Sequence, residues 1–476
     1  MEKKTETGEE LREEALHRKQ NKMGHMPIGR LLFSMSVPMV ISMLVQALYN
    51  VVDSFFVAKY SNDALNAVSL AYPVQMLMIA VSVGTSVGMN SYISRKLGAG
   101  ETENANKGAS NGIFLLTVSS LVFTALSFVI RPFFKLFSDD PALIALGVDY
   151  LSICMAFSLG IFIQLGCERI LQSMGKTGLS MATQLVGAVV NIILDPILIF
   201  GLGPIPALGI KGAAIATVVG QWIGMIVALF LVLGKDHEVT LSFRHFRPCK
   251  ETIVDIYRVG LPSIIMQAIT SVMISGMNVI LSRVLADVGG KAATSIVGVY
   301  FKVQSMIFMP LFGVTNASMS ILAYNFGAGN RLRLMKAYKL TLIVAVIIMA
   351  IGTAVFQLFP REIIALFDRD GSITSGGAAA FRIISLSFVL AAASITNSVT
   401  FGALGRGVSS MTMSILRQLV ILLPAALVLA LVFHRVEAVW WSFIVAELGA
   451  CAFGFLTMLR LYRKEIAHLP DGAKVG

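Results

Sequence analysis

The sequence predicts an all-α integral membrane protein, with twelve transmembrane helices in two six-helix parallel (same-orientation) repeats around a central cavity. Three observations carry this. Of the 476 residues, 56% are hydrophobic and 14% charged, against about 25% charged in an ordinary soluble domain, and the mean hydropathy is +0.78. The apolar residues gather in about twelve runs long enough to cross a bilayer. Short motifs recur in the second half at a nearly constant offset.

The runs span 28–58, 64–95, 105–131, 142–173, 178–201, 208–234, 252–286, 291–325, 334–359, 375–404, 409–434 and 437–462. Several exceed the minimum, so tilts and kinks are expected. They lack the short alternating pattern of membrane β-strands. The first 25 residues are charged and the first apolar run is too long for an h-region, so no secretory signal peptide is expected.

A soluble globule needs a polar surface that this composition does not supply. A soluble enzyme and a nucleic-acid binder are thereby excluded, and the net charge of +11 reads as topology. An even number of spans puts both termini on one side. That side carries about 25 Lys and Arg, against about 9 on the other and about 4 at membrane depth. Both termini are therefore expected in the cytoplasm, in the cell membrane, with the basic rim against anionic lipid. Cys154, Cys167, Cys249 and Cys451 form no CxxC pair, so neither a disulfide framework nor a zinc site is expected.

The repeat is read residue by residue. Val74-Gln75 recurs as Val303-Gln304, Gly84 as Gly313, Ser91 as Ser320, Gly98-Ala99-Gly100 as Gly327-Ala328-Gly329 and Lys107 as Lys336. Leu136-Phe137 matches Leu366-Phe367, Gly175-Lys176 matches Gly405-Arg406, and Pro38 matches Pro262. The predicted organisation is a cytoplasmic extension (1–26), an N-lobe (27–234), a basic linker (235–251), a C-lobe (252–463) and a tail (464–476). Six helices per half give the copies one orientation, and such halves enclose a cavity and rock against each other.

Charges at mid-membrane cost about 2.5–3.5 kcal/mol each on the insertion scale, so those present are informative. Gln46, Asn50 and Asp53 lie at i, i+4 and i+7 on one face of the first span. Gln184, Asn191 and Asp195 lie on one face of the fifth. Pro196 follows and deprives the carbonyl near Ile192 of its helical partner. Asn191, Asp195 and a freed carbonyl make an oxygen-rich spot suited to a proton or a small hard cation, to which Thr217 adds a hydroxyl. Gln164 and Glu168 share a face of the fourth span.

A structural reading stands beside the functional one. Asp53 is then solvated at a membrane face, Asp195 caps a broken helix, and Glu168 pairs with Arg169 or Lys176. Gln46, Asn50 and Gln184 then bridge helices. The GAG motifs read as helix ends, where glycine tolerates positive φ, and Gly84, Gly88 and Gly187 as points of close helix contact. The second half has Met277 or Asn278 at the place of Asp53 and Leu423-Pro424 at that of Asp195. Its membrane-depth charges are Lys302, Arg382, Arg417 and Glu447; a Lys302–Glu447 pair is expected, with Arg382 and Arg417 snorkelling to opposite faces.

The run Leu48-Tyr49-Asn50-Val51-Val52-Asp53, the repeated GAG ends and Asn191-Ile192-Ile193-Leu194-Asp195-Pro196 resemble the multidrug and toxic compound extrusion (MATE) family. The likeness extends over 28–463, and the NIILDPILIFG stretch is similar to that of staphylococcal multidrug exporters. The resemblance implies a two-lobed multidrug efflux transporter exchanging organic cations for H+ or Na+, relevant to antibiotic resistance. The family's coupling positions fall on Asp53, Asn191, Asp195 and Thr217, which would also hold Na+. The branch's acidic residue in the fourth span falls on Glu168, and the substrate and cavity residues expected are Gln46, Tyr49, Asn50, Gln164, Glu168 and Gln184. The seventh span has no carboxylate at membrane depth, unlike that of some members.

Asp53 and Asp195, as neighbours, would titrate as a coupled pair. The expected partners are small-molecule organic cations and the bilayer, with the chain a monomer. No cofactor or metal beyond the coupling ion is expected. The alternative is a lipid-linked precursor flippase of the same superfamily, whose anionic substrate demands basic residues; the first half offers Arg169 and Lys176 at one end. A passive channel needs no coupling carboxylates. An enzyme is not expected, since no HExxH, no GxSxG with a base and no membrane-embedded histidine occur.

Overall fold

The computed structural model describes residues 21–135, 139–202, 206–234, 237–241, 246–368 and 373–471. Most of the N-terminal extension, parts of the linker, Leu136-Phe137 of the repeat and the end of the tail lie outside the described residues. Among those described, all helical elements and no ladder of strands are found. They are α1 (Lys22–His25), α2 (Ile28–Tyr60), α3 (Asn62–Ala99), α4 (Thr102–Leu126), α5 (Ile130–Lys135), α6 (Pro141–Ala156), α7 (Leu159–Ser173), α8 (Thr177–Phe200) and α9 (Ile210–Val232). The second half continues with α10 (Lys250–Val279), α11 (Gly290–Gly327), α12 (Arg331–Leu358), α13 (Pro360–Ala365), α14 (Thr374–Ser385), α15 (Phe388–Ala403), α16 (Gly407–Ile415), α17 (Leu422–Phe433) and α18 (Val436–Leu461).

Ten helical stretches are long and apolar enough to cross a membrane. Two pairs, α6 with α7 and α14 with α15, pass the test jointly and bend by 46° and 49°. Counting each pair as one span gives twelve, in agreement with the apolar runs. The runs 142–173 and 375–404 are thus broken in the middle, at Phe157-Ser158 and at Leu386-Ser387.

Broken helices survive in lipid only where other groups take up the freed carbonyls. In the first half, the Thr124 hydroxyl reaches the carbonyls of Met155 (3.3 Å) and Ala156 (3.1 Å). The Trp222 indole N–H donates to the Phe157 carbonyl at 3.0 Å. In the second half, the Thr353 hydroxyl donates to the Ser385 carbonyl at 3.0 Å and the Gln357 amide to the Arg382 carbonyl at 2.7 Å. Thr124 and Thr353 stand at the offset that separates the two GAG motifs, so the break and its repair both belong to the repeat.

The GAG motifs do end helices. Gly100 (φ 78°) and Gly329 (φ 66°) occupy the left-handed region, as do Gly175 and Gly405 (both φ 78°) at the matching turns. The Gly100 N–H closes the end by donating to the Leu97 carbonyl at 3.0 Å. A β-carbon would strain each turn.

The chain divides into two compact units. One comprises the chain up to His25 with Ile41–Ile264, the other Met26–Val40 with Ile265 onward. In the first unit, α8 and α9 approach backbone to backbone: a Cβ on Gly220 would lie 2.7 Å from the Gly187 carbonyl oxygen, and one on Gly212 2.3 Å from that of Leu198. Gly84 and Gly88 of α3 do the same against Ile256, Gly260 and Ile264 of α10. Association of helices in lipid rests on such close packing. The second unit is built on aromatic side chains. Phe356 stacks on Phe381 with centroids 4.7 Å apart, and Tyr300 meets Phe356, Phe381 and Phe443 edge-on. Trp440 is fully buried.

A Cβ at Gly88 would meet the Ile256 carbonyl oxygen at 2.2 Å, whereas one at Gly178 would meet nothing within 4 Å. Gly88→Ala is therefore expected to destabilise the purified protein by about 1–3 kcal/mol, and Gly178→Ala to leave its thermal midpoint unchanged or slightly raised. A thermal melt of the two variants in one detergent checks this.

Candidate functional site

Five helices of the first unit converge on one acidic cluster. Three of them contribute an i, i+4 pair to it, the spacing that puts two side chains on one helix face: Tyr49 and Asp53 on α2, Tyr150 and Cys154 on α6, Asn191 and Asp195 on α8. Thr217 comes from α9 and Gln75 from α3. The contact between Gly187 and Gly220 sets the α8–α9 spacing here, since a Cβ on Gly220 would stand 3.2 Å from that of Asn191.

Asp195 has no exposed surface, and Asn191 and Thr217 are buried. In the amide orientation that satisfies both neighbours, Asn191 donates to Asp195 Oδ2 at 3.2 Å and accepts the Thr217 backbone N–H at 3.1 Å. The Tyr49 hydroxyl lies within hydrogen-bonding reach of Thr217. Asp53 and Asp195 are near enough for their charges to act on each other. Asp53 Oδ1 is buried without a hydrogen-bond partner among the described residues. None of the ion pairs among the described residues involves either acid. Two carboxylates with no counter-cation in a medium of low dielectric favour capture of a proton or a small cation.

Sequence reasoning missed the wall of this cluster. The Gln75 amide donates to the Tyr150 hydroxyl at 3.3 Å, and Tyr150 and Cys154 both sense the charge of Asp53. Two signals pointed to it: Gln75 belongs to the repeated Val-Gln motif, and a tyrosine inside an apolar run needs a partner for its hydroxyl.

Gln164, Glu168 and Gln184 form a second cluster. Glu168 is 1% exposed. Its Oε1 accepts from Gln164 Nε2 (3.1 Å) and from Thr183 Oγ1 (3.0 Å), and its Oε2 from Gln184 Nε2 (2.6 Å). The carboxylate is thus held by neutral donors from two helices. Arg169 donates to Gln172 at 3.0 Å and its charge acts on Glu168, and Lys176 hydrogen-bonds His237. Gln46 and Asn50 are exposed and, among the described residues, hydrogen-bond to neither cluster.

The second unit corrects one expectation. Glu447 pairs with Arg417, Nη1 to Oε1 at 3.2 Å, not with Lys302, which is exposed. Arg417 therefore points into the bundle instead of snorkelling. The segment that carries it packs directly on α18, so the guanidinium reaches a carboxylate sooner than it reaches water.

Membrane-crossing helices in two repeated halves, with an uncompensated pair of acids inside one of them, define a multi-pass membrane transporter. Residues 38–197 and 262–428 match MatE, and the chain belongs to the MATE family. It is similar to the multidrug export protein MepA of Staphylococcus haemolyticus, 27% identical over 444 residues, which cover 91% of this chain and 93% of that one. It is also similar to the FAD transporter of Shewanella oneidensis, 24% identical over 402 residues, or 84% and 88% of the two chains. Among solved structures, MATE in complex with MaL6 superposes with a TM-score of 0.86 at 27% identity, covering 95% of this chain and 99% of that one. An outward-facing multidrug resistance MATE transporter gives 0.85 at 27% identity, covering 95% and 98%.

Gln184→Leu removes the donor to Glu168 Oε2 and leaves that oxygen buried. A loss of about 1–3 kcal/mol is expected, read as a lower thermal midpoint; Gln46→Leu, on an exposed position, is the control expected to leave it unchanged.

Proposed function

We propose that the chain is a secondary active multidrug efflux transporter, exchanging lipophilic organic cations for H+ or Na+ by alternating access. Coupling runs through Asp53, Asn191, Asp195 and Thr217 of the N-lobe. The observation that carries this reading is that Asp53 and Asp195 lie within electrostatic range of each other with no ion-pair partner among the described residues. An acid pair in that setting holds either a small coupling ion or the positive charge of a bulky guest, and the two occupancies exclude one another. Gln46, Tyr49 and Asn50, on the same helix as Asp53, supply polar contacts to the guest, and Gln164, Glu168 and Gln184 line its surroundings.

In the cycle, the outward-facing state takes the coupling ion at the acid pair and ejects the drug. The inward-facing state releases that ion and takes up drug from the cytosol or inner leaflet. The N-lobe (27–234) and C-lobe (252–463) rock against each other about the basic linker (235–251). The protein works in the cytoplasmic membrane as a monomer, with both termini in the cytoplasm. An anionic cargo, whether a lipid-linked precursor or the FAD of the Shewanella relative's name, requires cationic groups, and the acid cluster opposes it.

Proteoliposomes with imposed pH or Na+ gradients and a panel of organic cations test this. Asp53→Asn and Asp195→Asn are each expected to abolish drug-dependent ion flux while the protein still inserts. Full flux in either variant contradicts the assignment.

A further inference from the structure

The Arg417–Glu447 pair has no role in the scheme above. Glu447 lies eleven residues into α18, about 16 Å along the helix at 1.5 Å per residue, and is therefore at membrane depth. Its Oε1 meets Arg417 Nη1 at 3.2 Å, and the two side chains are 11% and 23% exposed. Its Oε2 is buried and has no hydrogen-bond partner among the described residues. The Ser394 hydroxyl also lies within hydrogen-bonding reach of the carboxylate; a carboxylate offers about four acceptor sites, so this one is incompletely satisfied.

Stability does not explain such a pair. A buried ion pair with one hydrogen bond is matched or exceeded by apolar side chains of similar volume, and its surroundings are apolar: Trp440, Phe443 and Tyr300 all belong to the buried core. The titratable groups that face Glu447 are Arg417, Tyr300 of α11 and Cys451 one turn further along α18; Ser394 of α15 adds a hydroxyl.

The cation of the pair sits on an unusual backbone. Arg417 lies in a π-helical segment, Leu416–Ile421, between α16 and α17. Pro424 follows and removes the N–H that would bond the Val420 carbonyl. A π-turn carries one residue too many for the α-helical register and concentrates at functional sites.

We propose that Glu447 is a second proton-binding site, in the C-lobe, and that its protonation unlocks Arg417 and the π-helical segment from α18. Arg417 opposes any added positive charge, but a proton bonds to a single carboxylate oxygen, whereas a metal ion would need several oxygen ligands beside the guanidinium. One H+ from water bonds to Oε2, the carboxylate becomes neutral, its ionic hold on the guanidinium is lost, and the unit gains one positive charge. Deprotonation reverses each change. The repeat thus places a titrating acid beside a proline-interrupted span in both halves. In the first the acid is on that span, as Asp195 before Pro196; in the second it is on the neighbouring span and engages Arg417.

The test uses the full chain in nanodiscs without drug, by infrared difference spectroscopy between mildly alkaline and mildly acidic buffer. The wild type is expected to gain a protonated-carboxyl band that Glu447→Gln lacks and that Asp195→Asn retains. Proton uptake in Glu447→Gln falls by one equivalent. In Arg417→Gln the band is present already in alkaline buffer, because the partner that holds the carboxylate charged is gone. Glu447→Asp, which keeps an acid if Glu447→Gln fails to fold, displaces the band. A spectrum unchanged by either Glu447 substitution overturns the proposal. Since no transport is read, failure of first-unit coupling leaves this result intact.

Discussion

Lipid offers no hydrogen-bond partner, so every polar group between the two faces of the membrane must be satisfied from within the protein. Most of the architecture follows from that constraint. It dictates helices throughout. It places Thr124 and Trp222 beside the break between α6 and α7, and Thr353 and Gln357 beside its repeat between α14 and α15. It closes helix ends with left-handed glycines such as Gly100 and Gly329. The cost of an unsatisfied group is high enough that each bend in a span is accompanied by a named donor.

Against that background the three membrane-depth carboxylate sites stand apart by how well they are satisfied. Glu168 is saturated by Gln164, Thr183 and Gln184, which fixes its geometry and leaves little for a ligand to gain. Asp53 and Asp195 lie within electrostatic range of each other, with the Asn191 amide beside Asp195 and an oxygen of Asp53 without a partner among the described residues. Glu447 has Arg417 on one oxygen and the Ser394 hydroxyl nearby, and among the described residues its Oε2 has no close hydrogen-bond partner. The acid pair without an ion-pair partner among the described residues is the readiest of the three to bind a small positive species, and Arg417 opposes such binding at Glu447.

Close backbone contact makes these environments possible. Because α8 and α9 meet through Gly187, Gly212 and Gly220, the short side chains of Asn191 and Thr217 reach one another across the interface. With larger residues there, the two helices would separate and the cluster would open to lipid. The second unit uses the opposite device. Its aromatic core around Tyr300, Phe356 and Phe381 spaces those helices with bulk, while the π-helical segment packs directly on α18, where Arg417 meets Glu447.

By itself the sequence determined the helical fold class, the positions of the spans, the repeat, the glycine helix ends and the acids that share a helix face. All of these follow from one-dimensional patterns: run length, periodicity and offset. It did not reveal that runs 142–173 and 375–404 are broken, because Phe157-Ser158 and Leu386-Ser387 carry no proline or glycine and the break depends on donors from other helices. Nor did it reveal that Tyr150 and Gln75 wall the Asp53 site, that Glu168 accepts hydrogen bonds from Gln164, Thr183 and Gln184, or that Glu447 pairs with Arg417 and not Lys302. Those facts concern which faces of separate helices meet. Helix rotation and spacing are set by packing between side chains far apart in the chain, so only the tertiary structure decided them.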